Sequence, residues 1–118
     1  MSFIEQIKQR RSIYAIGKNV SQTPEQLDAV IQEAIKQSPS SFNSQSSRAV
    51  TLYGDSHAKF WEIVRETLRK MVPAENFEST RQRIDSFAAG YGTVLVYEDQ
   101  DVIKDLQEQF ALYADNFP

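Results

Sequence analysis

Two segments of this sequence predict β-strands, and two strands are too few to form a stable sheet by themselves. Residues 48–53 combine β-branched and aromatic side chains and stop at Gly54. Residues 93–97 form an uninterrupted β-prone run, which is typical of a strand buried on both faces. Because a two-stranded sheet is marginal alone, we expect further strands from additional residues or from a second copy of the chain.

Five segments predict helices around these strands. Ser2 with Glu5, and Thr23 with Gln26, have the spacing of a capping box, so helices are expected from residue 3 to about residue 9 and over 24–37. Apolar periodicity predicts three more, over residues 56–71, 74–89 and 100–110. Helices packed on a small sheet give an α+β fold that is incomplete in this chain. We expect residues 1–118 to be the N-terminal portion of one domain.

Composition restricts the chemistry and the partners. The chain has no cysteine, which excludes disulfides, thiolate metal sites and thiol nucleophiles. Its net charge of -3 gives no reason to expect nucleic-acid binding, but the charge is uneven. Residues 1–83 hold 12 basic against 9 acidic side chains, and residues 84–118 hold 1 against 7, so the first part can accommodate an anionic ligand.

The N-terminal residues do not resemble a secretory signal. Residues 1–8 are amphipathic and include a carboxylate, whereas a signal has an unbroken apolar core. No apolar run in the sequence reaches the length of a membrane span. We therefore expect a cytoplasmic protein without a membrane partner.

A polar loop at residues 38–47 is the stretch best suited to hold a ligand. It consists largely of serine hydroxyls and the carboxamides of Asn43 and Gln45. Hydroxyls and carboxamides both donate and accept hydrogen bonds, so the loop can satisfy a planar heterocycle or a phosphate without adding charge. On composition alone, an ordinary solvated connection between a helix and a strand is the alternative.

A second candidate segment is Arg10, Arg11 and Ser12, at the end of the first predicted helix. Guanidinium groups bind phosphate oxygens in a bidentate manner, and the neighbouring hydroxyl adds a neutral donor. The alternative is that the cations only complement the helix dipole. His57, the one histidine, has no nucleophile or carboxylate signature around it and is expected on the surface with no catalytic role. No metal site is predicted.

Taken together, these motifs resemble the nitroreductase family of flavoproteins. The resemblance rests on Arg10-Arg11-Ser12, the capped helix at 24–37, and the sequence PSSFNSQ at 39–45 ahead of a strand. The sequences SFAAGYGTV at 86–94 and LYADNFP at 112–118 are similar to one subgroup, related to the yeast fatty-acid repression mutant protein and associated with lipid signalling and oxidative stress. The resemblance covers the whole chain but only the first half, or somewhat more, of the family's domain.

The resemblance implies an α+β fold, an intertwined homodimer and FMN bound at the dimer interface. It also implies an NAD(P)H oxidoreductase that reduces nitroaromatics, quinones or similar small acceptors by ping-pong transfer through the flavin. In this sequence Arg10, Arg11 and Ser12 match the segment that binds the phosphate and ribityl chain. The residues that match the loop contributed by the partner subunit are Pro39, Ser40, Ser41, Asn43 and Gln45.

The sequence departs from the family at two positions. Tyr14 stands where many members have a basic residue, and Ser46-Ser47 stand where many have Pro-Trp. The phenol at Tyr14 and the lack of the family's C-terminal flavin contacts within residues 1–118 leave an alternative hypothesis, a non-catalytic ligand-binding or regulatory protein on the same scaffold. No acid-base dyad or nucleophile is required for either hypothesis, because flavin chemistry belongs to the cofactor.

Overall fold

The computed structural model describes residues 1–117, which divide into two compact units. The first unit contains residues 1–19 and 54–91, and the second contains residues 20–53 and the chain from residue 92 onward. Five helices and two strands follow one another in chain order: α1 (Phe3–Gln9), α2 (Pro24–Gln37), β1 (Ser47–Tyr53), α3 (Gly54–Met71), α4 (Ala74–Ala88), β2 (Gly92–Glu98) and α5 (Gln100–Gln109). Short 3-10 segments lie at Ser41–Asn43 and Ala111–Asn116.

Side-chain caps define the starts of the first two helices. The Glu5 backbone N–H donates to Ser2 Oγ at 3.2 Å, and Glu5 Oε2 accepts from the Ser2 N–H at 2.8 Å. The same reciprocal pair joins Thr23 and Gln26, at 3.2 and 2.9 Å. Each box satisfies two backbone donors that have no partner inside the helix. The predicted starts of α1 and α2 are confirmed.

Helix α3 begins earlier than predicted, at Gly54 rather than at residue 56. Gly54 has φ +56°, a conformation that favours glycine, so the chain turns from β1 directly into the helix. Helices α4 and α5 each end one residue before their predicted limit. None of the helices among residues 1–117 combines the length and the apolar character that a bilayer span needs.

In the first unit, α3 packs against α4. The ring of Trp61 lies 5.0 Å from that of Phe60 and 5.4 Å from that of Phe87, and Ile84 of α4 is buried. The prediction that His57 lies on the surface is wrong, because its side chain is only 3% exposed. Its Nε2 is 2.9 Å from the carbonyl oxygen of Ala88, one of the terminal carbonyls of α4 that the helix itself leaves unsatisfied.

In the second unit, β1 and β2 pair antiparallel from Ser47 opposite Glu98 to Tyr53 opposite Gly92. The prediction that β2 is buried on both faces is wrong for this chain. On one face of β2, Val94 and Val96 are 44% and 62% exposed to solvent, and on the other face Tyr97 is 52% exposed. A two-stranded sheet leaves much of both faces open, so an apolar run in the sequence does not ensure burial.

Helix α2 lies against β1 in the same unit. Leu27, Ile31 and Ile35 are half-buried, whereas Val30 of the same helix is 68% exposed. The hydroxyl of Tyr53, in the last position of β1, donates to Asp28 Oδ1 at 2.7 Å. Helix α2 therefore rests on the face of the sheet that carries Tyr53.

Candidate functional site

A cavity of about 620 Å³ lies in the second unit, beside the polar loop between α2 and β1. Its walls come from the last turn of α2, from the loop, and from the adjoining ends of the two strands. The residues that line it are Ile35, Lys36, Ser38, Pro39, Ser40, Asn43, Gln45, Ser47 and Val96. The volume is within the range of cofactor and small-molecule pockets.

The loop has an unusual backbone. Phe42, Asn43 and Gln45 have φ values of 53°, 52° and 53°, in the left-handed region that residues with a side chain rarely occupy. Each such residue costs on the order of 1–3 kcal/mol, and such conformations persist only where surrounding contacts impose them. Contacts made by Ser40, Arg48 and Phe42 meet this requirement.

Hydrogen bonds close the loop on itself. Ser40 accepts twice, its Oγ from the Gln45 N–H and its carbonyl from the Asn43 N–H, both at 3.0 Å. Arg48 donates from Nη1 to the carbonyl oxygens of Gln45 at 3.0 Å and of Ser47 at 3.1 Å. Its Nη2 pairs with Asp99 Oδ2 at 3.2 Å. The loop is therefore tied to both strand ends.

Aromatic packing fixes the tip of the loop. The Phe42 ring lies 5.0 Å from the rings of Phe110 and Phe117 and 5.8 Å from that of Tyr113, distances typical of favourable ring pairs. Ser41 Oγ donates to the carbonyl oxygen of Asn116 at 3.3 Å. The C-terminal 3-10 segment thus supports the loop from the side that Phe42 faces.

Glu98, the last residue of β2, anchors the other end of the loop. Its Oε2 accepts from Ser46 Oγ at 2.5 Å and its Oε1 from Ser47 Oγ at 2.8 Å. Hydrogen bonds to a carboxylate favour its ionised form. The bond from Ser46, followed by the bond from Ser47, lowers the pKa of Glu98 below its ordinary value.

The predicted phosphate-binding segment belongs to the first unit. Arg10 caps the end of α1 in an extended conformation, its backbone N–H donating to the carbonyls of Gln6 and Ile7, and Arg11 and Ser12 follow outside the helix. All three residues are exposed. Among residues 1–117, neither guanidinium has a hydrogen-bonding or carboxylate partner, so both are available to an anion.

The structure brings four of the five predicted loop residues to the cavity, namely Pro39, Ser40, Asn43 and Gln45. The hydroxyl of the fifth, Ser41, donates to Asn116 instead. The roles of Arg10, Arg11, Ser12 and the loop residues in ligand binding stay predictions.

Ser38 and Ser47, which also line the cavity, are the ends of the predicted polar loop, so sequence reasoning missed three lining residues: Ile35, Lys36 and Val96. Lys36 is a cation in the last turn of α2 before that loop, so the local sequence held a signal for it. Val96 lies at the cavity because β1 pairs with β2, and a local sequence pattern cannot predict the pairing of two distant strands.

The lining suits a flat, partly polar ligand. Hydroxyls and carboxamides can pair with the edge of a heterocycle, and Ile35, Pro39 and Val96 supply apolar contact surface. A flavin ring combines an apolar body with a polar edge, and the donor set of the cavity fits it. Lys36 adds one cation at the wall.

Comparison with known proteins identifies the class to which this fold and site belong. The profile described as the nitroreductase family matches residues 7–116. The chain belongs to the nitroreductase family, and the family predicted from its motifs is confirmed.

Particular relatives support the same assignment. The structure of nitroreductase CinD from Lactococcus lactis in complex with nicotinic acid has 48% identity and a TM-score of 0.81, over 99% of this chain and 59% of that one. The Saccharomyces cerevisiae proteins HBN1 and nitroreductase FRM2 are 32% and 28% identical, each over 99% of this chain. The chain spans 58% of the length of each yeast relative. The nitroreductase-like α+β fold, incomplete in this chain, is confirmed.

Proposed function

We propose that the protein is an FMN-dependent NAD(P)H oxidoreductase that reduces nitroaromatics, quinones or similar small acceptors. The observation that carries the proposal is the cavity at the polar loop, whose hydroxyl and carboxamide groups are held in place by a strained but well-supported backbone. Membership of the nitroreductase family supports it. The complex of CinD with nicotinic acid supports a site of this family that accepts a flat heterocycle.

The two predicted segments have different roles in this proposal. Arg10 and Arg11 neutralise the phosphate of FMN, and Ser12 adds a donor beside them. Pro39, Ser40, Ser41, Asn43 and Gln45 fix the ring from the partner subunit of a homodimer. When bound, FMN supplies the hydride chemistry, while the protein binds and orients it and limits access of water.

Exposed apolar side chains support the homodimer. One face of α1 carries Phe3, Ile4 and Ile7, which are 73%, 58% and 52% exposed to solvent. A contiguous exposed apolar face marks an interaction surface more often than a solvated one.

The non-catalytic binding protein is the second candidate function. Tyr14, 71% exposed, stands where many family members have a basic residue, so one cation of the phosphate site is replaced by a phenol. A weakened phosphate site would suit a protein that binds its ligand without cycling electrons.

Titration of the natural full-length protein with FMN tests the proposed cofactor. We expect saturable uptake with a flavin absorbance spectrum. Arg10→Ala should weaken FMN binding about 10-fold or more, because it removes a charge-assisted contact to phosphate. Arg83→Ala, an exposed arginine of α4, is the matched control and should leave the affinity unchanged. A protein that takes up no FMN contradicts the proposal.

Turnover separates the two candidate functions. With FMN bound, oxidation of NADH or NADPH in the presence of a quinone or nitroaromatic should be sustained over many cycles. Stoichiometric FMN binding without turnover toward any of these acceptors would favour the non-catalytic protein instead.

A further inference from the structure

The carboxylate of Glu98 determines how two serine hydroxyls are oriented. An ionised carboxylate only accepts hydrogen bonds. Since Oε1 contacts Ser47 Oγ at 2.8 Å and Oε2 contacts Ser46 Oγ at 2.5 Å, both serines must donate to it. The hydroxyl hydrogens of Ser46 and Ser47 are therefore committed to Glu98.

This commitment restricts what Ser47 can offer a ligand. Ser47 is one of the residues that line the cavity. A hydroxyl has one hydrogen and two lone pairs, so after donating to Glu98 it retains only acceptor capacity. A ligand group that meets Ser47 Oγ must itself carry an N–H or O–H.

The same carboxylate also holds the loop behind the cavity. Ser46 is fully buried, and its Oγ lies 3.1 Å from Ser44 Oγ. Because the Ser46 hydrogen goes to Glu98, Ser44 is the donor in this contact. The Ser46 carbonyl in turn accepts from the Asp99 N–H at 2.8 Å. Such a chain of hydrogen bonds polarises each of its members and fixes their orientation.

We propose that Ser47 is a specificity-determining residue of the cavity and that Glu98 is its positioning residue. Ser47 Oγ accepts a hydrogen bond from a ring N–H of a flat heterocycle, and it disfavours rings with no donor at that place. The inference rests on the proposed function, in which the heterocycle is FMN. The oxidised flavin ring carries a single N–H, at N3.

Two substitutions of equal shape isolate the hydroxyl. Ser47→Thr keeps it and Ser47→Val replaces it with a methyl group, and β1 tolerates both β-branched residues. We would measure the dissociation constants of both full-length variants for FMN and for 3-methyl-FMN. The Thr variant should bind FMN about 3- to 10-fold more tightly than the Val variant, the range of one neutral hydrogen bond. The two variants should bind 3-methyl-FMN equally, because that flavin has no N–H to donate.

Glu98→Gln tests the positioning role. The amide group of glutamine can accept at only one of its two atoms. Leaving a hydroxyl hydrogen unpaired costs more at the fully buried Ser46 than at Ser47 in the cavity wall, so the amide oxygen should accept from Ser46 and the amide nitrogen should donate to Ser47 Oγ, which frees the Ser47 hydrogen to turn toward the ligand. The ratio of FMN to 3-methyl-FMN affinity should be lower in Glu98→Gln than in the wild type. It should be the same in the double variant Ser47→Val, Glu98→Gln as in Ser47→Val alone, because the hydroxyl that Glu98 orients is already absent. If Glu98 were only structural, Glu98→Gln would weaken the binding of FMN and of 3-methyl-FMN alike and leave the ratio of the two affinities unchanged. That result would overturn the positioning role.

The outcomes separate this inference from the proposed function. A protein that binds both flavins, with the same Thr-to-Val affinity ratio for each, overturns the inference alone. A protein that binds neither flavin overturns the proposed function and the inference together.

Discussion

Phe42, Asn43 and Gln45 adopt a left-handed backbone in a loop that contains no glycine. The sequence allowed a loop to be predicted here, since serine, asparagine and proline are common in loops. Its conformation could not be predicted, because left-handed residues without glycine are imposed by distant contacts. The ring contacts of Phe42 with Phe110 and Phe117 and the hydrogen bond from Ser41 Oγ to the Asn116 carbonyl are such contacts.

Gln45 allows backbone strain to be separated from ligand binding. Gln45→Gly and Gln45→Ala both remove the carboxamide from the cavity, but only glycine accepts φ 53° without cost. We expect the glycine variant to exceed the alanine variant in free energy of unfolding by about 1 kcal/mol. Both variants should lose FMN affinity to the same extent. Urea denaturation and flavin titration measure the two effects, and an alanine variant at least as stable as the glycine variant would contradict the strain.

Glu98 makes folding stability depend on pH. Its folded-state pKa is lowered, first by the bond from Ser46, and the nearby charges are Arg48 and Asp99. A lowered carboxyl pKa contributes stability that is complete above the unfolded-state value, about 4.5, and is lost as the pH falls through the folded-state value.

The corresponding test is the acid limb of the unfolding curve. In wild-type protein the free energy of unfolding should fall below about pH 4.5 more steeply than in Glu98→Gln, since glutamine does not titrate. Parallel acid limbs for the two proteins would show that Glu98 titrates alike in the folded and unfolded states.

At the level of elements, the helices could be predicted because their signals are local. Caps at Ser2 and Thr23 and apolar periodicity over a few turns define them without reference to the rest of the chain. The predictions for His57 and β2 were wrong about burial, because the burial of a residue depends on which other parts of the chain pack against it. His57 is buried and its Nε2 contacts the carbonyl oxygen of Ala88, 31 positions along the chain, whereas the open faces of a two-stranded sheet expose Val96.

The pairing of α3 with α4 depends partly on Asp85. Its Oδ1 accepts from Arg65 of α3 at 2.7 Å and its Oδ2 from Arg81 at 2.8 Å, with the side chains of Asp85 and Arg65 40% and 28% exposed. Asp85→Asn should therefore lower the free energy of unfolding by only about 1 kcal/mol, less at high salt. Glu66→Gln, which breaks the more exposed Glu66–Arg69 pair, is the control and should change it by less. Equal effects of the two variants would show that Asp85 contributes no more than an ordinary surface pair.

For the whole molecule, the sequence motifs pointed to the family and to most of the loop that lines the cavity, but not to the cavity itself. Its shape depends on the register of β1 with β2 and on the last turn of α2, as the positions of Val96 and Lys36 show. The structure assigns the arginine segment to one unit and the loop to the other. That residues 1–118 form the N-terminal portion of one domain stays a prediction.

The exposed face of α1 leads to a prediction about assembly. Ile4→Glu combined with Ile7→Glu places two charges on that face, and the homodimer should dissociate into monomers in sedimentation velocity. Lys8→Glu, on the same helix, is a control for added acidic charge. A double variant that sediments like the wild type would exclude α1 from the dimer interface.

The central claim is that FMN is held by Arg10 and Arg11 of one protomer and by the cavity loop of its partner. The most direct test is the FMN content of a mixed dimer, purified with two affinity tags, that joins one Arg10→Ala chain to one Asn43→Ala chain. If the claim is correct, one site receives both substitutions and the other receives neither, so the mixed dimer should bind about half the FMN of the wild-type dimer with wild-type affinity. A mixed dimer in which every site binds FMN weakly would contradict it, because both segments would then come from the same chain.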